Sequence, residues 1–267
     1  MHGYEALFLH GAWTGPWVFD GWVAPFAEAG FAVRRLTLPG HAPGDDPSDC
    51  SLRGAAELLD ASLWEPERTV IVGYSLGGWA ALKFLERRQV AACVLLAPLP
   101  PRGLAGHAVR RILRSAPWTL AKSLLLGRSE APKARLIGEL CFPEGADPQG
   151  IRRFAERCLP VTPGMLRELA LLSLGLPTGK SVRLRRVRAA QRGRRHLVVA
   201  SEADRLVQPG DLASTVQALG ADTLFLKDAP HCMVETDQDR ILAGAVLRWL
   251  AGALADAVPP AAIDGRP

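Results

Sequence analysis

Cysteine is scarce and widely spaced in this sequence of 267 residues. The five cysteines are an odd number, and no Cys-x-x-Cys pair occurs among them. This pattern argues against a disulfide framework and against a zinc site, and it is typical of proteins from a reducing compartment. We therefore expect a cytoplasmic protein without a metal. The five are Cys50, Cys93, Cys141, Cys158 and Cys232.

The sequence also lacks a segment with the pattern of a membrane span. The N-terminus has no basic region followed by an apolar region, so we predict no secretory signal. The most apolar stretch, residues 241–258, is interrupted by Arg248 and Asp256. It therefore predicts a packed amphipathic helix, and we expect no stable membrane insertion.

Acidic residues are absent from residues 180–195, which hold much of the positive charge of a chain with net charge +5. Two explanations remain for this basic segment: an anionic partner, or a solvated helix face. No nucleic-acid-binding motif accompanies it, so we favour the solvated face and expect no nucleic-acid partner. With 48% hydrophobic and 22% charged residues, the chain is typical of a globular protein with a substantial core.

Apolar, β-branched runs alternate with helical patterns in the first and last thirds of the chain. This alternation requires crossover connections, and it predicts an α/β fold with a mostly parallel central sheet and helices on both faces. The predicted strands are residues 4–10, 31–38, 68–73, 90–98, 195–201 and 222–228.

The alternation stops in the middle of the chain. Residues 98–192 contain no clear strand pattern, only helical pieces punctuated by proline and glycine. We call this segment the helical insertion, and we expect it to form a unit separate from the α/β core of residues 1–97 and 193–258. Residues 259–267 are predicted to be a flexible tail.

The sequence GYSLG, residues 73–77, matches the pattern G-x-S-x-G between a buried strand and a helix. A serine in this context sits on a tight strand-to-helix turn in a strained conformation, and bulky residues two positions away would clash. The helix that follows directs unpaired N–H groups at the same place. We therefore predict that Ser75 is a nucleophile at the carboxyl edge of the sheet, where ligands bind in such folds.

A serine nucleophile needs a base, and the base needs an acid that orients it. Asp204 and His231 each follow a predicted strand, so both belong to loops at the same edge of the sheet as Ser75. We predict that these two residues are the acid and the base. Glu202 and Asp228 remain alternatives for the acid, and a packed loop histidine is the alternative for His231.

Acyl chemistry also requires two N–H donors for a developing oxyanion. The backbone N–H of Leu76, directly after the nucleophile, is one candidate. The loop after the first strand, HGAWTG at residues 10–15, supplies the other, and we choose the N–H of Ala12 over that of Trp13. Aromatic residues near this loop predict an apolar substrate pocket, with Trp13 as the substrate-contacting residue.

Taken together, HGAW, GYSLGG, ASEADRLVQP and PHCM resemble the motifs of the α/β-hydrolase family over nearly the whole chain. The resemblance implies a Ser-His-Asp triad, hydrolysis of esters or related acyl bonds, no cofactor, and a variable cap at residues 98–192. The loop at residues 10–22 is similar to that of the plant methylesterase and hydroxynitrile lyase branch. Serine at the turn argues against the dehalogenase and epoxide hydrolase branches, which have aspartate there.

The sequence therefore predicts a serine hydrolase, a carboxylesterase that acts on a small apolar ester. One alternative is a thioesterase that releases an acyl group from a carrier, in which case the basic segment would meet an acidic carrier protein. A non-enzymatic ligand receptor on the same scaffold and a lyase using the same triad are the others.

Overall fold

The structure, a computed structural model, describes residues 1–42, 44–46, 49–63, 65–115, 117–118, 131–177, 179–234 and 239–255. These residues contain one six-stranded sheet in the order β2-β1-β3-β4-β5-β6, and every neighbouring pair is parallel. The strands are β1 (Glu5–Leu9), β2 (Ala32–Leu36), β3 (Thr69–Tyr74), β4 (Ala92–Leu96), β5 (Arg195–Ser201) and β6 (Asp222–Leu226).

Helices connect the strands and cover both faces of the sheet. The helices of the α/β core are α1 (Asp20–Glu28), α2 (Leu52–Ser62), α3 (Leu76–Leu85), α9 (Pro209–Leu219) and α10 (Asp239–Ala255). Those between β4 and β5 are α4 (Gly106–Ser115), α5 (Ala134–Cys141), α6 (Pro148–Arg157), α7 (Pro163–Ser173) and α8 (Leu184–Ala190). Single 3₁₀ turns occur at Pro16–Phe19 and Pro66–Arg68.

The strands alternate their side chains between two hydrophobic clusters, one on each side of the sheet. Leu7 and Leu9 of β1 belong to one cluster, and Ala6 and Phe8 belong to the other. The central strands β3 and β4 are buried at every position, which explains their continuous apolar sequences.

The predicted fold class and the order of strands and helices are confirmed. The 3₁₀ turn Pro16–Phe19 leads directly into α1. Helix α2 is capped by Ser51, whose side chain accepts a hydrogen bond of 2.9 Å from the N–H of Gly54.

The helical insertion packs on the α/β core through specific polar contacts. Lys83 on α3 donates to the carbonyl of Ser181 over 2.9 Å, and Thr162 donates to the carbonyl of Cys50 over 2.9 Å. The carboxylate of Glu168 on α7 accepts the N–H of Leu52 at the start of α2. Among the helices that the structure describes, none combines the length and apolar character needed to cross a bilayer.

Candidate active site

Ser75 stands alone between the end of β3 and the start of α3. Its backbone is strained, with φ +51° and ψ −114°, a region that L-residues rarely occupy. The turn is held by β4 and the segment after it. The N–H of Ser75 donates to the carbonyl of Leu96 over 3.0 Å, and its carbonyl accepts the N–H of Leu99 over 2.9 Å.

Three glycines allow the chain to turn this sharply. A methyl group on Gly73 would lie 2.8 Å from the carbonyl oxygen of Gly77, and one on Gly78 would lie 2.6 Å from the side chain of Pro98. A methyl group on Gly77 would collide with the backbone carbonyl oxygen of Leu9. The glycines are thus required by the close packing of α3 against β1 and β3.

The imidazole of His231 lies between Ser75 and Asp204. Its Nε2 atom is 3.1 Å from Oγ of Ser75, and its Nδ1 atom is 2.8 Å from Oδ2 of Asp204. The other carboxylate oxygen, Oδ1 of Asp204, accepts the N–H groups of Leu206 and Val207 over 2.8 and 2.9 Å. Both Asp204 and His231 are buried, so the hydrogen bond between them is shielded from water.

The two alternative acids are exposed to solvent. Glu202 and Asp228 both have exposed side chains, whereas Asp204 is buried against the imidazole. The three residues preferred from the sequence are therefore the ones that the structure brings together.

The loop after β1 approaches Ser75 closely. A methyl group on Gly11 would lie 3.0 Å from Cβ of Ser75, so only glycine fits without a local shift. Ala12 and Trp13 line the same small cavity as Ser75. Leu76 is the first residue of α3, and the first N–H groups of a helix have no partner within it.

His10 fixes the loop after β1 through two hydrogen bonds. Its Nε2 atom accepts the N–H of Leu38 over 3.0 Å, so Nδ1 carries the proton and donates to the carbonyl of Gly11 over 2.8 Å. Thr14 donates a second hydrogen bond of 3.0 Å to the same carbonyl. Burial lowers the pKa of His10 to about 3, which keeps the ring neutral and the loop in place.

Trp13 joins the loop to the helical insertion. It has a φ of +62°, and its carbonyl accepts the N–H of Leu159 over 2.7 Å.

The other tryptophans near the motifs have different surroundings. Trp22 and Trp79 are fully buried in the core, and Trp118 is 79% exposed.

The cavity at Ser75 has a volume of about 40 Å³. Part of its wall comes from the helical insertion, namely Ile137 and Cys141 of α5 and Phe154 of α6. Sequence reasoning missed these three residues. The spacing of Ile137 and Cys141, four residues apart on one helix face, is the signal that they share, but nothing in the pattern says which face meets the site.

The cysteines beside the site are packing residues in this structure. The Sγ atom of Cys232 donates to the carbonyl of Cys141 over 2.8 Å, and both side chains are buried. Burial raises the pKa of the Cys141 thiol well above its usual value, so it stays protonated. The ring of Tyr74 lies 5.4 Å from that of His231, and burial likewise raises the pKa of its hydroxyl.

Comparison with known proteins identifies relatives of two kinds. The chain is 33% identical over 131 residues to the pimeloyl-[acyl-carrier protein] methyl ester esterase of Aromatoleum aromaticum, a match that covers 48% of this chain and 49% of that protein. It is 29% identical over 149 residues to the probable esterase PIR7A of Oryza sativa subsp. indica, covering 51% of this chain and 56% of that protein. The chain thus spans about half the length of these curated relatives.

Among solved structures, the monoacylglycerol lipase of Paleococcus ferrophilus superposes with a TM-score of 0.65 at 17% identity. That match covers 94% of this chain and 97% of the lipase, and at this identity it supports the fold alone. The model of the alpha/beta hydrolase family matches residues 6–244, a range that includes Ser75, Asp204, His231 and the whole helical insertion. The chain therefore belongs to the alpha/beta hydrolase family.

Proposed function

We propose that this protein is a serine hydrolase that cleaves a carboxylic ester of a small apolar substrate. The observation that carries the proposal is the pair of contacts made by His231, 3.1 Å to Oγ of Ser75 and 2.8 Å to Oδ2 of Asp204. An imidazole held by a buried carboxylate and touching a strained serine is the arrangement that acyl transfer requires.

In the proposed reaction, Oγ of Ser75 attacks the ester carbonyl carbon while Nε2 of His231 takes the hydroxyl proton. The oxyanion that forms is stabilised by the N–H groups of Leu76 and Ala12. When the tetrahedral intermediate collapses, His231 donates the proton to the departing alcohol, which leaves an acyl group on Ser75. Water then attacks this acyl-enzyme with the same base, and the acid is released.

The lining of the site supports an apolar substrate, because most of the side chains around the cavity at Ser75 are apolar or aromatic. We propose Trp13 as a residue that contacts the substrate, since it lines the cavity beside Ser75. We also propose a reducing compartment as the place of action, on the ground of the odd number and wide spacing of the five cysteines.

The test compares Ser75→Ala with the unaltered protein on p-nitrophenyl esters of increasing acyl length. We expect kcat/KM to fall by roughly 10³-fold or more on every ester that is turned over. Thermal unfolding of both proteins serves as the control for folding. Turnover by Ser75→Ala within tenfold of the unaltered protein would exclude Ser75 as the nucleophile.

A second candidate function is hydrolysis of an acyl group borne by a carrier protein. It is favoured by the identity to the Aromatoleum aromaticum enzyme, whose name gives a carrier-linked methyl ester as its substrate. The test is kcat/KM for one acyl group presented either on an acyl carrier protein or as a free ester. Equal values, with no dependence on salt, would reject this candidate.

A further inference from the structure

The charge of this chain is divided unevenly between its two parts. The helical insertion, residues 98–192, contains 18 lysines and arginines against 6 acids, a net charge of +12. The rest of the chain contains 14 basic and 21 acidic residues, a net charge of −7. A strongly cationic unit on an anionic core directs the molecule toward an anionic partner in one orientation.

The large exposed hydrophobic side chains are concentrated in the same segment. Of the seven such residues in the part of the chain that the structure describes, five lie in the helical insertion. These are Leu113, Trp118, Leu171, Leu174 and Leu176, and two of them, Trp118 and Leu174, are 79% and 72% exposed. Exposed apolar side chains are thus more frequent in the helical insertion than in the rest of the described chain, and large apolar patches of this kind are typical of interaction sites.

On α4, one exposed apolar residue shares a face with arginine. Arg110, Leu113 and Arg114 are exposed and spaced three and four residues apart, so they lie on one side of the helix. Trp118 lies beyond the end of α4 at Ser115 and is itself exposed. The opposite side of α4 is buried at Ala108.

On α7, the same combination is repeated. Arg167, Leu171 and Leu174 are exposed and spaced four and three residues apart. The end of α7 lies beside the start of α4, because the N–H of Leu104 donates to Oγ of Ser173 over 2.9 Å. We give the name basic–apolar face to the exposed basic and apolar residues of these two helices and the segments that follow them, namely Arg110, Leu113, Arg114, Trp118, Arg167, Leu171 and Leu174.

We propose that the basic–apolar face docks the protein on the surface of an anionic lipid bilayer. Helices that lie in a membrane interface carry arginine and lysine beside tryptophan and leucine, and anionic headgroups attract the basic residues while the apolar ones enter the boundary of the acyl chains. Leucine is under-represented among the residues that dominate protein–protein binding, whereas three of the four apolar members here are leucines. Nucleic acid has no apolar layer into which the leucine and tryptophan side chains of this face could insert.

Docking in this orientation would bring the site close to the membrane. Helix α4 packs against α5, and α5 supplies Ile137 and Cys141 to the wall of the cavity at Ser75. Apolar esters partition into bilayers, so a docked enzyme would meet them at a raised local concentration. This consequence rests on the proposed function, whereas the docking itself does not.

The test is flotation of the full-length protein with extruded vesicles of phosphatidylcholine alone, or of phosphatidylcholine with about 30 mol% phosphatidylglycerol. We expect binding to the anionic vesicles that weakens as salt rises toward and beyond about 0.15 M. Trp118→Ser combined with Leu174→Ser is expected to lower the vesicle partition coefficient by about tenfold or more. The matched control combines Phe225→Ser with Ile241→Ser, which are 60% and 70% exposed on the α/β core, and it should bind as the unaltered protein does.

Arg110→Gln combined with Arg114→Gln gives an independent readout, because it should reduce binding and flatten the salt dependence without changing an apolar residue. Ser75→Ala should bind vesicles normally, so loss of hydrolysis and loss of docking are separable. The proposal is overturned if the unaltered protein does not float with anionic vesicles at low salt. It is also overturned if the Trp118/Leu174 variant binds anionic vesicles as well as the unaltered protein does. The same holds if the Phe225/Ile241 control loses as much vesicle binding as the Trp118/Leu174 variant. Binding of a purified acidic acyl carrier protein through the same residues, without vesicle binding, would assign the face to that partner instead.

Discussion

The substitution Asp204→Asn tests the proposed chemistry with the smallest change in shape. In the structure, Oδ1 of Asp204 accepts two backbone N–H groups, from Leu206 and Val207. In asparagine only the carbonyl oxygen can take that position, so the amide NH₂ must replace Oδ2, which lies 2.8 Å from Nδ1 of His231. An amide NH₂ donates, and Nδ1 must then accept.

The proton of the imidazole would consequently move to Nε2, the atom 3.1 Å from Oγ of Ser75. The ring would donate a hydrogen bond to the hydroxyl and would no longer accept its proton. We expect kcat/KM for a p-nitrophenyl ester to fall by about 10⁴-fold, the effect of the wrong tautomer in a Ser-His-Asp site. That corresponds to about 5.4 kcal/mol of transition-state stabilisation.

The assay measures kcat/KM and the urea midpoint of unfolding for Asp204→Asn and for a matched control, Glu202→Gln. Glu202 is exposed and follows the same strand, so its substitution should leave kcat/KM within about twofold. The reasoning is refuted if Asp204→Asn, still folded, keeps kcat/KM within tenfold of the unaltered enzyme. An equal loss in Glu202→Gln would also refute it, because the wrong carboxylate would then have been assigned.

Two further predictions concern stability. Gly77→Ala should lower the urea midpoint of unfolding and reduce esterase activity, because the new methyl group collides with the carbonyl oxygen of Leu9. The control is Gly252→Ala on α10, where a methyl group meets nothing within 4 Å, and it should be neutral or stabilising in the same urea titration. Burial lowers the pKa of His196 from 6.5 to about 4, so the unfolded chain takes up a proton first, and His196 alone should lower the free energy of unfolding by about 3 kcal/mol as pH drops from 6.5 to 4. His10, whose pKa burial lowers to about 3, adds a fall of its own over this range. His196→Leu should remove the His196 share and leave the His10 share, and an unchanged pH profile in this variant would show that His196 does not contribute.

The strands of the sheet were predictable because each strand is marked by its own local sequence pattern. Buried parallel strands such as β3 need an apolar side chain at nearly every position, and the G-x-S-x-G pattern here stands between such a strand and a helix, the context that indicates a sharp turn. The partners of Ser75 were predictable for a related reason: the carboxyl ends of parallel strands meet at one edge, so the loops holding Asp204 and His231 had to converge there. The choice of Asp204 over Glu202 needed more, because both follow β5 within three residues and only three-dimensional burial separates them.

The helical insertion was predictable as helical but not in its contacts. Helices α4, α5 and α6 each have an apolar and a polar side, but the spacing within one helix does not say which neighbouring element its apolar side meets. Phe154 illustrates the difficulty, because it lies on the mostly exposed α6 and still reaches the cavity at Ser75. Such long-range contacts are decided by packing between segments rather than by the pattern within one.

The two parts of the chain therefore contribute differently to the proposed reaction. The sheet and its loops hold the groups that move protons and stabilise charge. The chain packs so closely around Gly73 and Gly77 that these groups have almost no freedom to shift. The insertion contributes the apolar wall, through Ile137, Cys141 and Phe154, and it holds the carbonyl of Trp13 through a single backbone hydrogen bond of 2.7 Å. Substitutions in the insertion should accordingly change which acyl group is preferred more than the rate with the best one, because they alter the fit of the substrate and leave the hydrogen-bonded residues in place.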